Sequence, residues 1–134
     1  MVKVAIIGAG FVGATAAYAF AMRELVDDIA LVDVKPGLAK GKALDISQAV
    51  SVFGIPVKLR GGEEYSLIGG AEVVVITAGV PRQPHQKREE TLHINARIMK
   101  EVIAEVKRHA PGSILLVVTN PLDAMTWLAA EESG

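Results

Sequence analysis

The chain contains no cysteine, so disulfide bridges and thiolate chemistry are excluded and a metal site would lack sulfur ligands. Its three histidines, His85, His93 and His109, are scattered and have no partners at metal-ligand spacing, so no metal is expected. An excess of charge of either sign is also missing. Fourteen basic and fifteen acidic residues are mixed along the chain and leave a net charge of −1, which gives no electrostatic footprint for nucleic acid. No apolar run approaches the roughly 20 residues that span a bilayer. The apolar stretch Val2–Ile7 is short and leads into glycines, so it reads as a strand and not as a signal peptide. A cytoplasmic location is compatible with this composition and is the expectation.

Apolar residues make up 51% of the 134 residues and charged residues 22%, the balance of a globular domain. Residues 1–134 are read as one domain, large enough to bury about two thirds of its unfolded surface. Short apolar runs alternate with helical patterns. Strands are expected at Val2–Ile7, Ile29–Val34, Val57–Arg60, Ala71–Thr77 and Ile114–Thr119. Helices are expected at Phe11–Arg23, Leu38–Val50, Glu89–His109 and Pro121–Glu132. The long third helix carries Leu92, Ala96, Met99, Val102, Ile103 and Val106 on one face. Strands 1, 2, 4 and 5 are almost continuously apolar and β-branched, the mark of strands buried on both faces. The fold class is therefore α/β, with a parallel sheet covered by helices on each side and right-handed crossovers.

Gly8-Ala9-Gly10-Phe11-Val12-Gly13 is a GxGxxG run between a strand and a helix, the context that gives the motif its meaning. Gly8 permits a tight turn, Gly10 leaves the backbone open to a pyrophosphate, and Gly13 lets the helix lie close to the strand. The helix start then offers free N–H groups and a partial positive charge. Asp33, 20 residues after Gly13, can accept both hydroxyls of an adenosine ribose and would repel a 2′-phosphate. Lys35 nearby weakens that exclusion. The alternatives are a glycine-rich turn without a ligand and a capping or surface aspartate.

After the fourth strand, Thr77-Ala78-Gly79 leads into Val80–Arg88, a segment rich in proline, glutamine and charge. Ligands of open α/β sheets sit beyond the carboxyl ends of the strands, so this loop lies where a substrate would. Arg82 and Arg88, six residues apart, each offer a planar fork suited to a carboxylate. A solvated basic loop is the plainer reading. Asn95 follows Arg88 by two helical turns on nearly the same face; a buried amide satisfied by backbone is its alternative. Asn120 stands before Pro121, where a turn asparagine is common.

Gly8–Gly13, Asp33, Thr77-Ala78-Gly79, Arg82, Arg88, Asn95 and Val118-Thr119-Asn120-Pro121 together resemble the lactate/malate dehydrogenase family, over essentially the whole chain. The resemblance implies a Rossmann-type doubly wound sheet of five parallel strands in order 3-2-1-4-5, cut before the family's sixth strand. Strand 5 would then have an unprotected edge. NAD is the implied cofactor, held by Gly8, Ala9, Gly10, Phe11, Val12, Gly13, Asp33, Thr77, Ala78, Gly79, Asn95, Val118, Thr119 and Asn120. Arg88 would polarise the substrate carbonyl, Arg82 would select the substrate, and Asn120 would touch substrate and the nicotinamide end of the cofactor.

The implied reaction is reversible hydride transfer between malate and NAD, with a dicarboxylate as small-molecule partner. The family's proton-donating histidine, the aspartate that holds it, and a further arginine belong to its C-terminal catalytic half. The isolated chain is thus expected to bind NAD without turnover. Family members form dimers or tetramers through surfaces that include the helix matching Leu38–Val50. His85 departs from the family's usual glycine and is given no catalytic role. Competing readings are a lactate or other 2-hydroxy acid dehydrogenase, a non-catalytic dinucleotide-binding module, and a methyltransferase, which would leave the arginine loop unexplained.

Overall fold

The computed structural model describes all of residues 1–134. Five strands, β1 (Lys3–Ile7), β2 (Asp28–Val32), β3 (Lys58–Gly62), β4 (Val73–Ile76) and β5 (Ile114–Val117), form one sheet in the order β3-β2-β1-β4-β5. All four pairings are parallel, with Ile7 opposite both Val32 and Ile76. Helices α1 (Phe11–Met22), α2 (Leu38–Ser51), α3 (Arg88–His109) and α4 (Leu122–Ser133) fill the connections, together with a short 3-10 turn at Tyr65–Ile68. This is the parallel architecture that the sequence pattern implies and the strand order that the family resemblance implies.

Alternation of side chains along each strand divides the core in two. Ala5, Ile7, Ala30, Val32, Val74 and Ile76 face α3, α4 and the 3-10 turn. Val4, Ile6, Ile29, Leu31 and Val75 face α1 and α2. The alanines of α1 have a packing reason, since Ala17 and Ala21 are fully buried and let that helix sit close to the sheet.

Two expectations are corrected. Strand β5 is buried on one face only. Leu115 and Val117 join the α3–α4 core, while Ile114 and Leu116 are 70% and 50% exposed because β5 is an edge strand. The buried face of α3 also turns at its start. Thr91 and Asn95 are buried there, and Leu92 and Ala96 only partly so, because the first turns of α3 lie under loops that supply polar partners.

At the amino ends of the strands a charged cluster closes the sheet. The Lys3 ammonium donates to the carbonyls of Leu67 and Gly69 at 2.8 and 2.7 Å, and Arg60 pairs with the buried Asp28 at 2.6 Å. Burial holds the Lys3 pKa below the ordinary lysine value, and the Asp28 charge opposes that shift. The opposite, carboxyl ends are left open for a ligand. Leu31 is fully buried at the centre of the α1–α2 core. Leu31→Ala is expected to cost about 2–5 kcal/mol of unfolding free energy, measured by urea denaturation. A loss within about 0.5 kcal/mol, as at a surface position, would contradict this packing.

Candidate functional site

The carboxyl ends of β1, β2, β4 and β5 open into a groove of about 580 Å³, within the range of small-molecule sites. Gly8, Gly10, Phe11, Val12, Gly13, Asp33, Thr77, Ala78, Gly79, Asn95, Val118, Thr119 and Asn120 all line it. Ala9 lies buried beneath, and its N–H donates to Asp33 Oδ2 at 2.7 Å. The other carboxylate oxygen accepts from the Lys35 N–H at 2.9 Å. Asp33, one residue past β2, therefore ties the glycine loop to the neighbouring strand while facing the groove.

The glycines fall into two classes. Gly8 has a φ of +108°, and a Cβ there would lie 2.7 Å from the Ala78 nitrogen; a Cβ on Gly13 would run into the Gly8 carbonyl oxygen. These two are required by the protein itself. A Cβ on Gly10 would meet nothing within 4 Å. No packing in the chain demands a glycine at that position, which borders the groove beside the start of α1. The first-turn amides of Phe11, Val12 and Gly13 have no acceptor in the chain, as expected of a helix start. Free amides, a helix dipole and a bare α-carbon fit an anionic pyrophosphate, and Asp33 fits the sugar beside it.

The far end of the groove is held by side chains bonded to backbone. Asn95, 2% exposed, accepts from the Val80 N–H at 2.9 Å and donates to the carbonyls of Val80 (3.2 Å) and Asn120 (2.8 Å). Thr119 Oγ1 donates to the Ala78 carbonyl at 2.6 Å, and Thr77 Oγ1 to that of Gly8 at 3.1 Å. The loops after β1, β4 and β5 are thereby laced together. The Asn120–Pro121 peptide is cis.

Arg82 and Arg88 are not brought into the groove. Both are exposed, on the loop beside it and at the first residue of α3. Neither takes part in the chain's ion pairs, which join Arg60 to Asp28 and join Arg108 and His109 to Glu105. His93 is exposed on α3. Sequence reasoning missed much of the groove's wall: Val34, Leu38, Tyr65, Val80, Ile98 and Glu101. Apolar Val34 directly after Asp33 was the one local signal available. Burial raises the Tyr65 pKa, with the charges of Glu105, Glu101 and Asp33 adding to it, so its hydroxyl stays neutral at physiological pH.

A parallel sheet with an open glycine loop, free helix amides and a carboxylate after the second strand defines a dinucleotide-binding domain. The chain belongs to the lactate/malate dehydrogenase family, as its NAD-binding domain: residues 2–134 match the family model for that domain. The malate dehydrogenase of Caulobacter vibrioides is 47% identical over 132 residues, covering 98% of this chain and 41% of that protein. A malate dehydrogenase from Archaeoglobus fulgidus, solved in complex with NADH, superimposes with a TM-score of 0.96 at 42% identity over 98% of this chain and 45% of its own. A lactate dehydrogenase from Cryptosporidium parvum, complexed with lactic acid and NAD, gives 0.92 at 39% identity over 99% and 42%. The chain thus spans less than half the length of these relatives.

Gly10→Ala separates ligand binding from folding. It should leave the melting temperature within about 2 °C of the parent, since the added methyl touches no protein atom. It should weaken NAD binding at least about tenfold, or 1.4 kcal/mol, by calorimetry. Unchanged NAD affinity would remove the pyrophosphate from this loop.

Proposed function

We propose that the chain is the NAD-binding half of a malate dehydrogenase, which interconverts malate and oxaloacetate. The observation that carries the choice of substrate is the pair of uncommitted arginines on the loop and helix start that flank the groove, Arg82 six residues before Arg88. NAD, when bound, supplies the hydride acceptor or donor at its nicotinamide ring. The amides of Gly10–Gly13 would hold its pyrophosphate, Asp33 its adenosine ribose, and the 77–79 and 118–120 segments its nicotinamide end, with Asn95 setting their spacing.

Arg88 would meet the substrate carbonyl, where negative charge develops as hydride arrives, and stabilise that oxygen. Arg82 would face the second carboxylate of the dicarboxylate. In a site closed to water an unpaired carboxylate costs several kcal/mol, and a guanidinium fork offsets this. Asn120, at the loop after β5, would orient the substrate against the ring. The groove is lined by no histidine or lysine, and its titratable side chains are Asp33, Tyr65 and Glu101; the family resemblance assigns the proton required at the carbonyl oxygen to a histidine. That donor is assigned to the remaining part of the full-length protein. The same reading implies a homodimer or homotetramer, for which the region of α2 offers exposed Leu44, Val52 and Phe53.

Two measurements test this. The full-length protein should prefer oxaloacetate to pyruvate, and Arg82→Gln should lower that preference on the order of a hundredfold, equivalent to about 3 kcal/mol. An unchanged ratio would remove Arg82 from the substrate. The 134-residue chain alone should give heat with NAD in calorimetry but no steady-state oxidation of NADH with oxaloacetate; robust turnover would place the proton donor within this chain.

A further inference from the structure

The arginine loop contains one residue that does not behave like a solvated loop side chain. Gln86 is the only position from 79 to 90 that is not exposed. Its backbone N–H donates to the Gln83 carbonyl at 3.0 Å, closing a four-residue turn over Pro84 and His85. Its side chain folds back over the same turn, and Oε1 accepts from the Gln83 N–H at 3.2 Å. That oxygen also accepts from Thr91 Oγ1 at 3.4 Å. Thr91 is 7% exposed and lies in the first turn of α3, three residues after Arg88.

One amide oxygen therefore joins two rigid pieces. The first is the turn adjoining Arg82, stiffened by Pro84, whose ring fixes φ. His85 occupies the third position of that turn without a positive φ, so the turn is not of the kind that needs glycine there. The second piece is the helix that begins with Arg88. The fastening has a physical need. Arg82 and Arg88 have long, freely rotating stems and no ion-pair partners. Asn95 ties the loop to α3 at Val80, and Gln86 is the side chain that ties it to α3 on the other side of Arg82.

The geometry points to Gln86 as a positioning residue for Arg82, fastening the turn that follows Arg82 to the first turn of α3 through Thr91. This rests on the reading that Arg82 meets the substrate's second carboxylate. A loop held at the correct distance loses less freedom when the dicarboxylate arrives, so the effect belongs to substrate affinity and selectivity and not to the cofactor.

The test uses the full-length protein with Gln86→Met, which keeps the side chain's length without its acceptor. Thr91→Val removes the donor at equal size, and Thr91→Ser retains it. In Gln86→Met and Thr91→Val, KM for oxaloacetate should rise about fivefold, the scale of one hydrogen bond. Their kcat and KM for NADH should stay within about twofold, below the scale of that bond. Thr91→Ser should match the parent protein, and the double variant should add nothing to either single change.

A second readout needs no substrate. Trypsin should cut after Arg82 and Lys87 faster in the two disrupted variants than in the parent and Thr91→Ser. Equal cleavage rates in all four proteins would overturn the fastening. Faster cleavage with unmoved oxaloacetate KM, or KM for NADH rising in step with it, would overturn the positioning role. A parent protein that does not reduce oxaloacetate would refute the dehydrogenase assignment, and cleavage would still judge the fastening.

Discussion

The site depends on how closely the first turn of α1 lies against the end of β1. That approach is a contact between backbones. Gly13 must lack a Cβ because the Gly8 carbonyl occupies its place, and Gly8 must turn through a positive φ to put its carbonyl there. The Thr77 hydroxyl then bonds to that same carbonyl from the neighbouring strand. With the helix seated this way, its unpaired amides and the positive end of its dipole point into the groove at a position defined by the sheet. Any preference for an anion would come from the placement of the main chain, since residues 8–13 carry no basic side chain.

The second constraint is the lacing of the loops around Asn95. A primary amide has two donors and an acceptor, and here they are used on Val80 and on Asn120. Its burial would be costly if those bonds were absent. A polar side chain in the interior therefore defines the distance between the loop after β4 and the loop after β5, from which a nicotinamide and a substrate would have to be gripped together. Thr119 adds a second bond between the same loops. Asn95 borders the groove, but most of its hydrogen-bonding capacity is committed to backbone.

The parallel pairing and the four helices were legible because each rests on a local pattern: continuous β-branched runs for buried strands and a 3.6-residue period for α3. The sheet order came from the family resemblance, since no local pattern encodes which strands are neighbours. The glycine loop and Asp33 were legible for a different reason, since their chemistry permits few other residue types. What escaped was set by distance along the chain. Tyr65, Ile98 and Glu101 reach the groove only because the crossovers bring the 3-10 turn and the middle of α3 over the sheet. The half-exposure of β5 was masked by its composition. Ile114 and Leu116 read as core residues, and only the strand's place at the sheet edge leaves them uncovered. Thr91 escaped because its burial follows from a loop folding over the start of α3, which no helical period encodes.

The two ends of the site are built from different materials. The cofactor end consists of main-chain amides, glycines and one carboxylate that is itself bonded to backbone, all anchored to strands buried in the core. The proposed substrate end consists of exposed arginines on a loop and at a helix start. Changing a backbone-built site requires moving the fold, whereas changing a side-chain site requires one substitution. On the proposed function, hydride chemistry would stay constant while the accepted acid varied. That malate and lactate dehydrogenases both superimpose on this one domain is what such a division permits. On the proposed reading, discrimination between the two acids would fall to the identity and spacing of Arg82 and Arg88, which the shared fold leaves free to vary.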